Sequence, residues 1–195
     1  MHDLKLRSST DEDIPFLYRV YASTRADEMA LLDWSDADKQ SFLKMQFDAQ
    51  HRHYHAHYDN ARFDIIELDG TPVGRLYIDN RSDEIRLIDI ALLPDFRGRG
   101  VGTGLIQQVI DTARQSNRSV TIHVEGNNPA IGLYKRLGFR YVKDVGVYHF
   151  MQWHSKPPGV GEEDLLGLDN GESDNAIAGH AAVDENKPDQ EKTAS

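Results

Sequence analysis

The most informative segment of this 195-residue chain reads Arg97-Gly98-Arg99-Gly100-Val101-Gly102-Thr103-Gly104. Its small residues allow several backbone N–H groups to converge on one point, and the N-terminus of a following helix would add its positive end. The two arginines add full positive charges. The segment therefore predicts a site for a pyrophosphate or polyphosphate group.

Two familiar phosphate-binding motifs do not fit the spacing of this segment. A phosphate loop of the P-loop type needs a Lys-Ser or Lys-Thr pair after its last glycine, and no lysine is present here. A dinucleotide fingerprint needs Gly-x-Gly-x-x-Gly, but its last position is Thr103 when counted from Gly98 and Leu105 when counted from Gly100. The segment therefore indicates a different kind of phosphate-binding loop.

Strand and helix patterns extend outward from the loop in both directions. Alternating apolar residues predict a strand before it, and apolar residues four apart from Val101 to Ala113 predict a helix after it. The same criteria predict further strands at 4–7, 63–68, 73–78, 120–124, 140–145 and 147–153, and further helices at 14–21, 35–58 and 129–137. The order βααβββαβαββ predicts a mixed α/β fold.

The end of the chain has a different composition. Residues 155–195 contain ten acidic residues and three lysines, which gives −7 of the total charge of −10, and they contain no aromatic residue. Such a segment cannot bury enough apolar surface to offset the entropy of ordering. We predict one folded domain at 1–154 and a disordered acidic tail at 155–195, which either solvates the protein or carries a docking segment.

Composition excludes several classes of function. The chain has no cysteine, which excludes disulfides, cysteine-ligated metals and a cysteine acyl-enzyme. Its net charge of −10 argues against a nucleic-acid binder that works by counterion release. No apolar run is long enough to span a membrane, and the N-terminus lacks the pattern of a signal peptide. We therefore expect a cytoplasmic protein.

Two blocks of the sequence resemble those of a known family. The pattern Arg97-x-x-Gly100-x-Gly102 is similar to the acetyl-CoA pyrophosphate loop of the GCN5-related N-acetyltransferase (GNAT) superfamily. The preceding Ile90-Ala91-Leu92-Leu93-Pro94 resembles the fourth strand of that family. A second block follows at a typical family separation and reads Asn127-x-x-Ala130-x-x-Leu133-Tyr134-x-x-x-Gly138-Phe139.

The resemblance implies a fold and a co-substrate site. The fold would be a central mixed sheet, flanked by helices and splayed open between its fourth and fifth strands, with acetyl-CoA in the gap. The pantetheine arm would pair with the backbone of the fourth strand as an added strand does, and either Asn127 or Asn128 would hydrogen-bond that arm. The implied cofactor-binding residues are Ile90, Ala91, Leu92, Arg97, Gly98, Arg99, Gly100, Val101, Gly102, Thr103, Asn127 and Asn128.

The implied chemistry is attack of a neutral amine on a thioester. The resemblance makes Tyr134 the acid that protonates the leaving thiolate and places the oxyanion donor near the backbone of Leu92. The general base that removes a proton from the incoming ammonium is one of four candidates, namely Glu84, Asp89, His123 or a chain of waters. Strand alternation predicts that Glu84 and Asp89 lie on opposite faces and that His123 shares its face with Glu125.

A histidine tract lies near the end of the second long predicted helix. His51, His53, His55 and His57 alternate with other residues, but only residues four apart share a helix face. Two separate pairs without a third ligand nearby do not predict a metal site. We expect no metal.

The sequence therefore predicts an acetyl-CoA-dependent N-acetyltransferase that acts by direct transfer in a ternary complex. The acceptor would be the primary amine of a small molecule or a peptide, and a homodimer is possible. A longer acyl donor is one alternative. Another is a non-catalytic acyl-CoA-binding sensor or interaction module on the same fold.

Overall fold

The apolar alternations of the sequence form a single seven-stranded sheet. The computed structural model describes residues 3–155 of the chain. The strands are β1 (Leu4–Ser8), β2 (Ala61–Leu68), β3 (Thr71–Asn80), β4 (Glu84–Leu92), β5 (Ser119–Glu125), β6 (Arg140–Val145) and β7 (Tyr148–Trp153). The helices are α1 (Ile14–Thr24), α2 (Ala26–Ala30), α3 (Asp36–His57), α4 (Val101–Gln115) and α5 (Ile131–Arg136).

The strand order is β1-β2-β3-β4-β5-β7-β6, and β4 and β5 form the one parallel pair among the described strands. The other neighbours are antiparallel and need only short turns, whereas a parallel pair needs a crossover. Helix α4 supplies that crossover between β4 and β5. The predicted mixed sheet with helices on its faces is confirmed.

The hairpin between β2 and β3 forms for a local reason. Leu68 pairs with Thr71, so that Asp69 and Gly70 alone make the turn. Both have positive φ, 51° and 76°. A two-residue turn of this kind matches the twist of the strands and favours an Asp-Gly sequence. It fixes the register of β3, and β3 in turn positions β4.

The two faces of the sheet carry separate apolar cores. Helix α4 packs Leu105, Ile106 and Ile110 against one face, together with Tyr134 of α5. Helices α1 and α3 cover the other face with a mainly aromatic cluster. Its buried members are Leu17, Tyr21, Leu43, Phe47, Tyr54, Tyr58, Ile65, Tyr77 and Ile88.

The predicted elements are confirmed apart from one helix and a few end residues. Helix α2 is five residues long and has none of its residues buried, so it carries no apolar periodicity that a sequence pattern could detect. Within residues 3–155, no helix is both long and apolar enough to cross a membrane. The predicted tail at 155–195 lies, apart from Ser155, outside the described residues.

The predicted splay of the sheet lies between β4 and β5. Their pairing runs from Glu84 opposite Ser119 to Leu87 opposite Ile122 and then stops. Beyond that point β4 continues along β3, and β5 continues along β7. The second half of β4 therefore has one edge that does not pair with β5.

Gly74 holds β3 close to this half of β4. A Cβ at Gly74 would overlap the carbonyl oxygen of Ala91 and lie 2.7 Å from Leu92 Cδ2. We expect Gly74→Ala to lower the free energy of unfolding by about 1–3 kcal/mol, as overpacking typically does. Urea denaturation measures this change.

Gly104 offers a matched control for that substitution. It lies in α4, and nothing lies within 4 Å of the Cβ that an alanine would add. Because alanine is a better helix former than glycine, Gly104→Ala should leave stability unchanged or raise it by up to about 1 kcal/mol. Equal stabilities for Gly74→Ala and the parent protein would contradict the close approach.

Candidate functional site: the opening between β4 and β5

The open edge of β4 presents backbone groups in a regular pattern. Leu93 N–H donates to the carbonyl oxygen of Val73 at 2.9 Å, so position 93 faces β3. In an antiparallel pair the direction alternates, so Ala91 also faces β3, whereas Ile90 and Leu92 face the opening. Of the three predicted backbone contacts, Ile90 and Leu92 have the orientation that an added strand-like arm requires.

The glycine loop leads directly from this edge into α4. Gly98 and Gly100 have φ of 68° and 79°, a conformation that glycine adopts without strain. The first bond within the helix runs from Gly104 N–H to the oxygen of Gly100, at 2.9 Å. The N–H groups at 101–103 therefore have no partner inside the helix, and they point toward the loop as an anion site.

The two arginines of the loop have different surroundings. Arg97 Nε donates to the oxygen of Leu92 at 2.8 Å, and its Nη2 donates to the Ser23 hydroxyl at 3.0 Å and the Ser23 carbonyl oxygen at 3.2 Å. Its guanidinium therefore ties the loop to the last turn of α1. Arg99 is exposed and lies over the Phe96 ring, 5.7 Å from its centroid, where its charge stays at the loop surface.

The two adjacent asparagines also differ. Asn128 is buried, and its side-chain oxygen accepts the N–H of Ala130 at 2.8 Å, which stabilises the turn into α5. Asn127 is exposed at the end of the loop that follows β5. The side-chain oxygen of Asn128 therefore has a structural partner, and Asn127 is the more accessible amide.

Tyr134 is fixed by the way α5 ends. Gly138 has a positive φ of 92°. Its N–H donates to the carbonyl oxygen of Lys135, and the N–H of Phe139 donates to the carbonyl oxygen of Tyr134, both at 3.0 Å. This pair of bonds is the Schellman motif, which brings the side chains at the two ends of the turn together. The Tyr134 and Phe139 rings lie 5.5 Å apart, edge to face. The Tyr-x-x-x-Gly-Phe pattern therefore positions the tyrosine ring.

The hydroxyl of Tyr134 lies in the interior without a partner. Its side chain is fully buried, and within residues 3–155 no group accepts or donates a hydrogen bond at this oxygen. Burial raises the pKa of Tyr134 far above its ordinary value, and the nearby charge of Asp89 raises it further. A buried hydroxyl without a partner is unfavourable, so such a group calls for an explanation.

The comparisons with known proteins agree with this geometry. The model of the acetyltransferase (GNAT) family matches residues 26–139, more than half of the chain. The chain belongs to the GNAT family. Residues 26–139 extend from α2 to the Gly138-Phe139 end of α5, so the matched region contains the open edge of β4, the glycine loop and Tyr134.

Individual relatives are also named N-acetyltransferases. An uncharacterized N-acetyltransferase of Methanocaldococcus jannaschii is 37% identical over an alignment of 91 positions, which covers 42% of this chain and 40% of that protein. A protein of Bacillus subtilis named for acetylation of the alanine of ribosomal protein bS18 is 26% identical over 76% of this chain and 93% of its own length. The chain thus spans less than half of the first of these two relatives.

The fold is shared with solved GNAT structures. The PaiA N-acetyltransferase of Thermoplasma acidophilum, solved in complex with coenzyme A, aligns with a TM-score of 0.60 and 14% sequence identity. The alignment covers 78% of this chain and 99% of that structure. The acetyl-CoA assignment suits this GNAT chain, because the open edge of β4 leads into the N-terminus of α4, and Asp89 of β4 acts electrostatically on the buried hydroxyl of Tyr134.

Asp89 is the buried carboxylate of this GNAT domain at the opening. Its Oδ2 accepts Arg75 Nη2 at 2.6 Å, and Arg75 also donates to Gln50 Oε1 at 3.1 Å. Burial raises the pKa of Asp89 to about 6, although Arg75 opposes the shift. Its other oxygen, Oδ1, has no hydrogen-bond partner among the described residues. Asp89 is thus a carboxylate that is easy to protonate but difficult to reach.

The predicted separation of Glu84 and Asp89 onto opposite faces is wrong. The register of β3 and β4 slips at Ile88, where a β-bulge inserts one extra residue into β4. The bulge shifts the alternation by one residue. Ile85 and Leu87 still point into the α4 core, but Ile88 packs with α1 and α3, and Asp89 contacts Arg75 on that same side. Glu84 and Asp89 therefore share a face.

Glu84 lies at the closed end of the β4–β5 pair. Its carboxylate accepts Arg81 Nη1 at 2.7 Å, and its register partner on β5 is Ser119, three pairs away from where the strands separate. The structure therefore does not bring Glu84 together with Tyr134 and the open edge of β4.

His123 lies on the face of β5 opposite the buried Ile122 and Val124, as predicted, and its ring has partners there. Arg86 Nη2 lies 3.1 Å from His123 Nδ1, and the Phe150 ring packs against the imidazole with centroids 4.9 Å apart. Arginine only donates hydrogen bonds, so Nδ1 must be the acceptor and the neutral ring carries its proton on Nε2. In this arrangement the basic nitrogen of His123 faces Arg86.

The histidine tract forms the two pairs that its spacing predicts. The rings of His51 and His55 lie 4.5 Å apart, and those of His53 and His57 lie 4.1 Å apart. His51 also stacks on Phe47, and His55 packs against Phe63. Among residues 3–155, no three potential ligands form a metal-binding group. The histidine rings therefore pack against one another and against neighbouring aromatic rings at the C-terminal end of α3.

Proposed function

We propose that this GNAT domain transfers the acetyl group of acetyl-CoA to a primary amine by direct attack in a ternary complex. The observation that carries the proposal is the buried, unpartnered hydroxyl of Tyr134 at the opening of the sheet. The hydroxyl has no structural role there, but it suits a proton donor whose partner arrives with the substrate.

The chain's own residues supply the binding site. The N–H groups at the start of α4 would hold the pyrophosphate, with Arg99 adding charge at the surface. Ile90 would pair with the pantetheine arm through its backbone, and the exposed Asn127 would bond to it. Arg97 would shape the loop through Leu92 and Ser23 rather than touch the phosphates. Acetyl-CoA supplies an activated thioester to this site.

The same residues suit acyl transfer. The N–H of Leu92 faces the opening, where it would stabilise negative charge on the attacked carbonyl oxygen. Tyr134 would donate its proton to the departing sulfur. Its raised pKa keeps the hydroxyl protonated at neutral pH, so it stays available as an acid. Since the chain has no cysteine, an acyl-cysteine intermediate plays no part.

We further propose that the acceptor is an α-amino group, as at the N-terminus of a peptide. An α-amine has a pKa of about 8, whereas that of a lysine or polyamine amine is near 10.4. An α-amine therefore needs far less help to lose its proton, and Asp89, the buried carboxylate at this opening, is already ion-paired with Arg75. The Bacillus subtilis relative named for an alanine acceptor supports the same class.

The alternatives from the sequence make different demands on the site. A non-catalytic acyl-CoA-binding module needs the loop and the open edge of β4 but gains nothing from the unpartnered Tyr134 hydroxyl. A longer acyl donor would use the same residues and differ only in the room near the thioester. The cytoplasmic location and the homodimer stay predictions.

A release assay for free CoA tests the proposal. The full chain is incubated with acetyl-CoA and a panel of amines that includes N-terminal alanine and serine peptides, Nα-blocked lysine and spermidine. We expect release to depend on the amine and to be fastest for the peptides, with mass spectrometry showing acetylation at the N-terminus. Acetyl-CoA binding without turnover of any amine would favour the non-catalytic module.

A further inference from the structure

A second carboxylate lies at the opening, next to Arg25 at the start of α2. Glu125 ends β5, three residues beyond the last position that pairs with β4. Val124 packs into the α4 core, so the side chain of Glu125 lies on the opposite face, toward α1 and α2. The side chain is 23% exposed, whereas that of Asp89 is fully buried. Of these two carboxylates, Glu125 is the one that an incoming acceptor can reach.

Arg25 interacts with Glu125 and with two other carboxylates. Its Nη2 lies 3.8 Å from Glu125 Oε1, and its Nη1 donates to Glu28 Oε1 at 2.9 Å. Arg25 also acts electrostatically on Asp89. Arg25 therefore acts on both carboxylates, and Glu125 lies on the part of β5 that no longer pairs with β4, at the same opening as Asp89.

The other candidate bases are held more firmly by their partners. Glu84 and Asp89 form ion pairs at 2.7 and 2.6 Å. The Nδ1 atom of His123 accepts a bond from Arg86 at 3.1 Å. Within the described part of the chain, the Glu125 carboxylate has a single ion-pair contact, and at 3.8 Å that contact exceeds hydrogen-bond distance. Glu125 therefore has lone pairs available for an ammonium group.

The electrostatic surroundings favour proton uptake by Glu125. Burial raises its pKa and the charge of Glu28 adds to that shift, while Arg25 opposes it. His123 lies on the same face of β5, and Tyr148 is the register partner of Glu125 on β7. His149, one residue further along β7, lies against Gly126. A carboxylate whose pKa moves up toward neutrality is a better general base.

We propose that Glu125 accepts the proton of the incoming ammonium, a role that rests on the proposed function. One N–H bond of the ammonium breaks, and the proton passes to a carboxylate oxygen of Glu125. The freed nitrogen lone pair forms the C–N bond, and the C–S electron pair leaves with sulfur, which takes a proton from Tyr134. The second proton on nitrogen then restores the Tyr134 hydroxyl, and Glu125 releases its proton to water.

The pH profile of Glu125→Gln tests this role. At about pH 6.5, where the amine is protonated, we expect kcat/KM for an N-terminal alanine peptide to fall by about 10²-fold or more. At about pH 9.5 the amine is already neutral in solution. The variant should then approach the parent to within a few-fold, because no base is needed.

Glu84→Gln is the matched control, since it removes a carboxylate that pairs with Arg81 at the closed end of the β4–β5 pair, away from the opening. Its kcat/KM should keep a constant ratio to that of the parent from pH 6.5 to 9.5. A pH-independent loss in Glu125→Gln, or no loss, would overturn the role of Glu125 and leave the proposed function standing. If the parent itself acetylates no amine at any pH while it binds acetyl-CoA, the proposed function fails and this role fails with it.

Discussion

Gly100→Asp is expected to raise the dissociation constant of acetyl-CoA by more than about 100-fold. The side chain would place a negative charge against the pyrophosphate at the N-terminus of α4, where like charges cost several kcal/mol. A cost of 1.4 kcal/mol already corresponds to a tenfold change in affinity. Gly102→Asp should have the same effect, because Gly102 is a buried residue in the first turn of α4. Isothermal titration calorimetry measures both affinities.

Gly100→Asn separates charge from shape. Gly100 has φ of 79° and nothing within 4 Å of an added Cβ, so a side chain finds space but meets backbone strain. Aspartate and asparagine tolerate this left-handed region about equally well and have nearly the same size. We expect Gly100→Asn to weaken binding far less than Gly100→Asp. Unchanged affinity in a folded Gly100→Asp protein would show that the pyrophosphate binds elsewhere.

Much of the fold can be predicted from the sequence because neighbouring residues determine the local geometry. The Asp69-Gly70 turn needs two residues with positive φ, and Gly138 closes α5 for the same kind of reason. The Val101–Gln115 helix has one apolar stripe that matches its buried side. In each case a few neighbouring residues determine the geometry, so a pattern in the sequence is sufficient.

The β-bulge at Ile88 has no such local signal. The segment Leu87-Ile88-Asp89-Ile90 reads as a regular strand, and the extra residue becomes visible only when β3 pairs with β4. That single insertion moves Asp89 to the α1 and α3 side, where Arg75 of β3 donates to it and also to Gln50 of α3. Alternation therefore predicted the face of His123 correctly and that of Asp89 wrongly.

Long-range partners limited what could be predicted for the site. The loop motif draws attention to both arginines, but only the structure shows that Arg97 bonds to Ser23, 74 positions earlier in the chain. Arg25 had no motif of its own, and its importance follows from its contact with Glu125 and its electrostatic effect on Asp89. Charged side chains that act through distant partners leave no periodicity in the sequence.

Tyr134→Phe is expected to separate catalysis from stability. The substitution removes a buried hydroxyl that has no hydrogen-bond partner, so the melting temperature should stay the same or rise. The ring contact with Phe139, which holds the end of α5, is retained. Acetyl-CoA affinity should change little, because the hydroxyl is needed mainly in the transition state.

The turnover number of Tyr134→Phe, unlike its stability and its affinity for acetyl-CoA, should fall strongly. If Tyr134 protonates the leaving thiolate, kcat should fall by about 10²–10⁴-fold, the usual contribution of a general acid. The loss should be largest for weakly basic amines, because their adducts revert most easily when sulfur departs unprotonated. Tyr54→Phe is the control, since Tyr54 is also buried but belongs to the cluster on the other face of the sheet. Pre-steady-state kinetics shows whether product release limits the rate. If it does not, and the Tyr134→Phe enzyme keeps kcat within about twofold of the parent, then Tyr134 is only a packing residue.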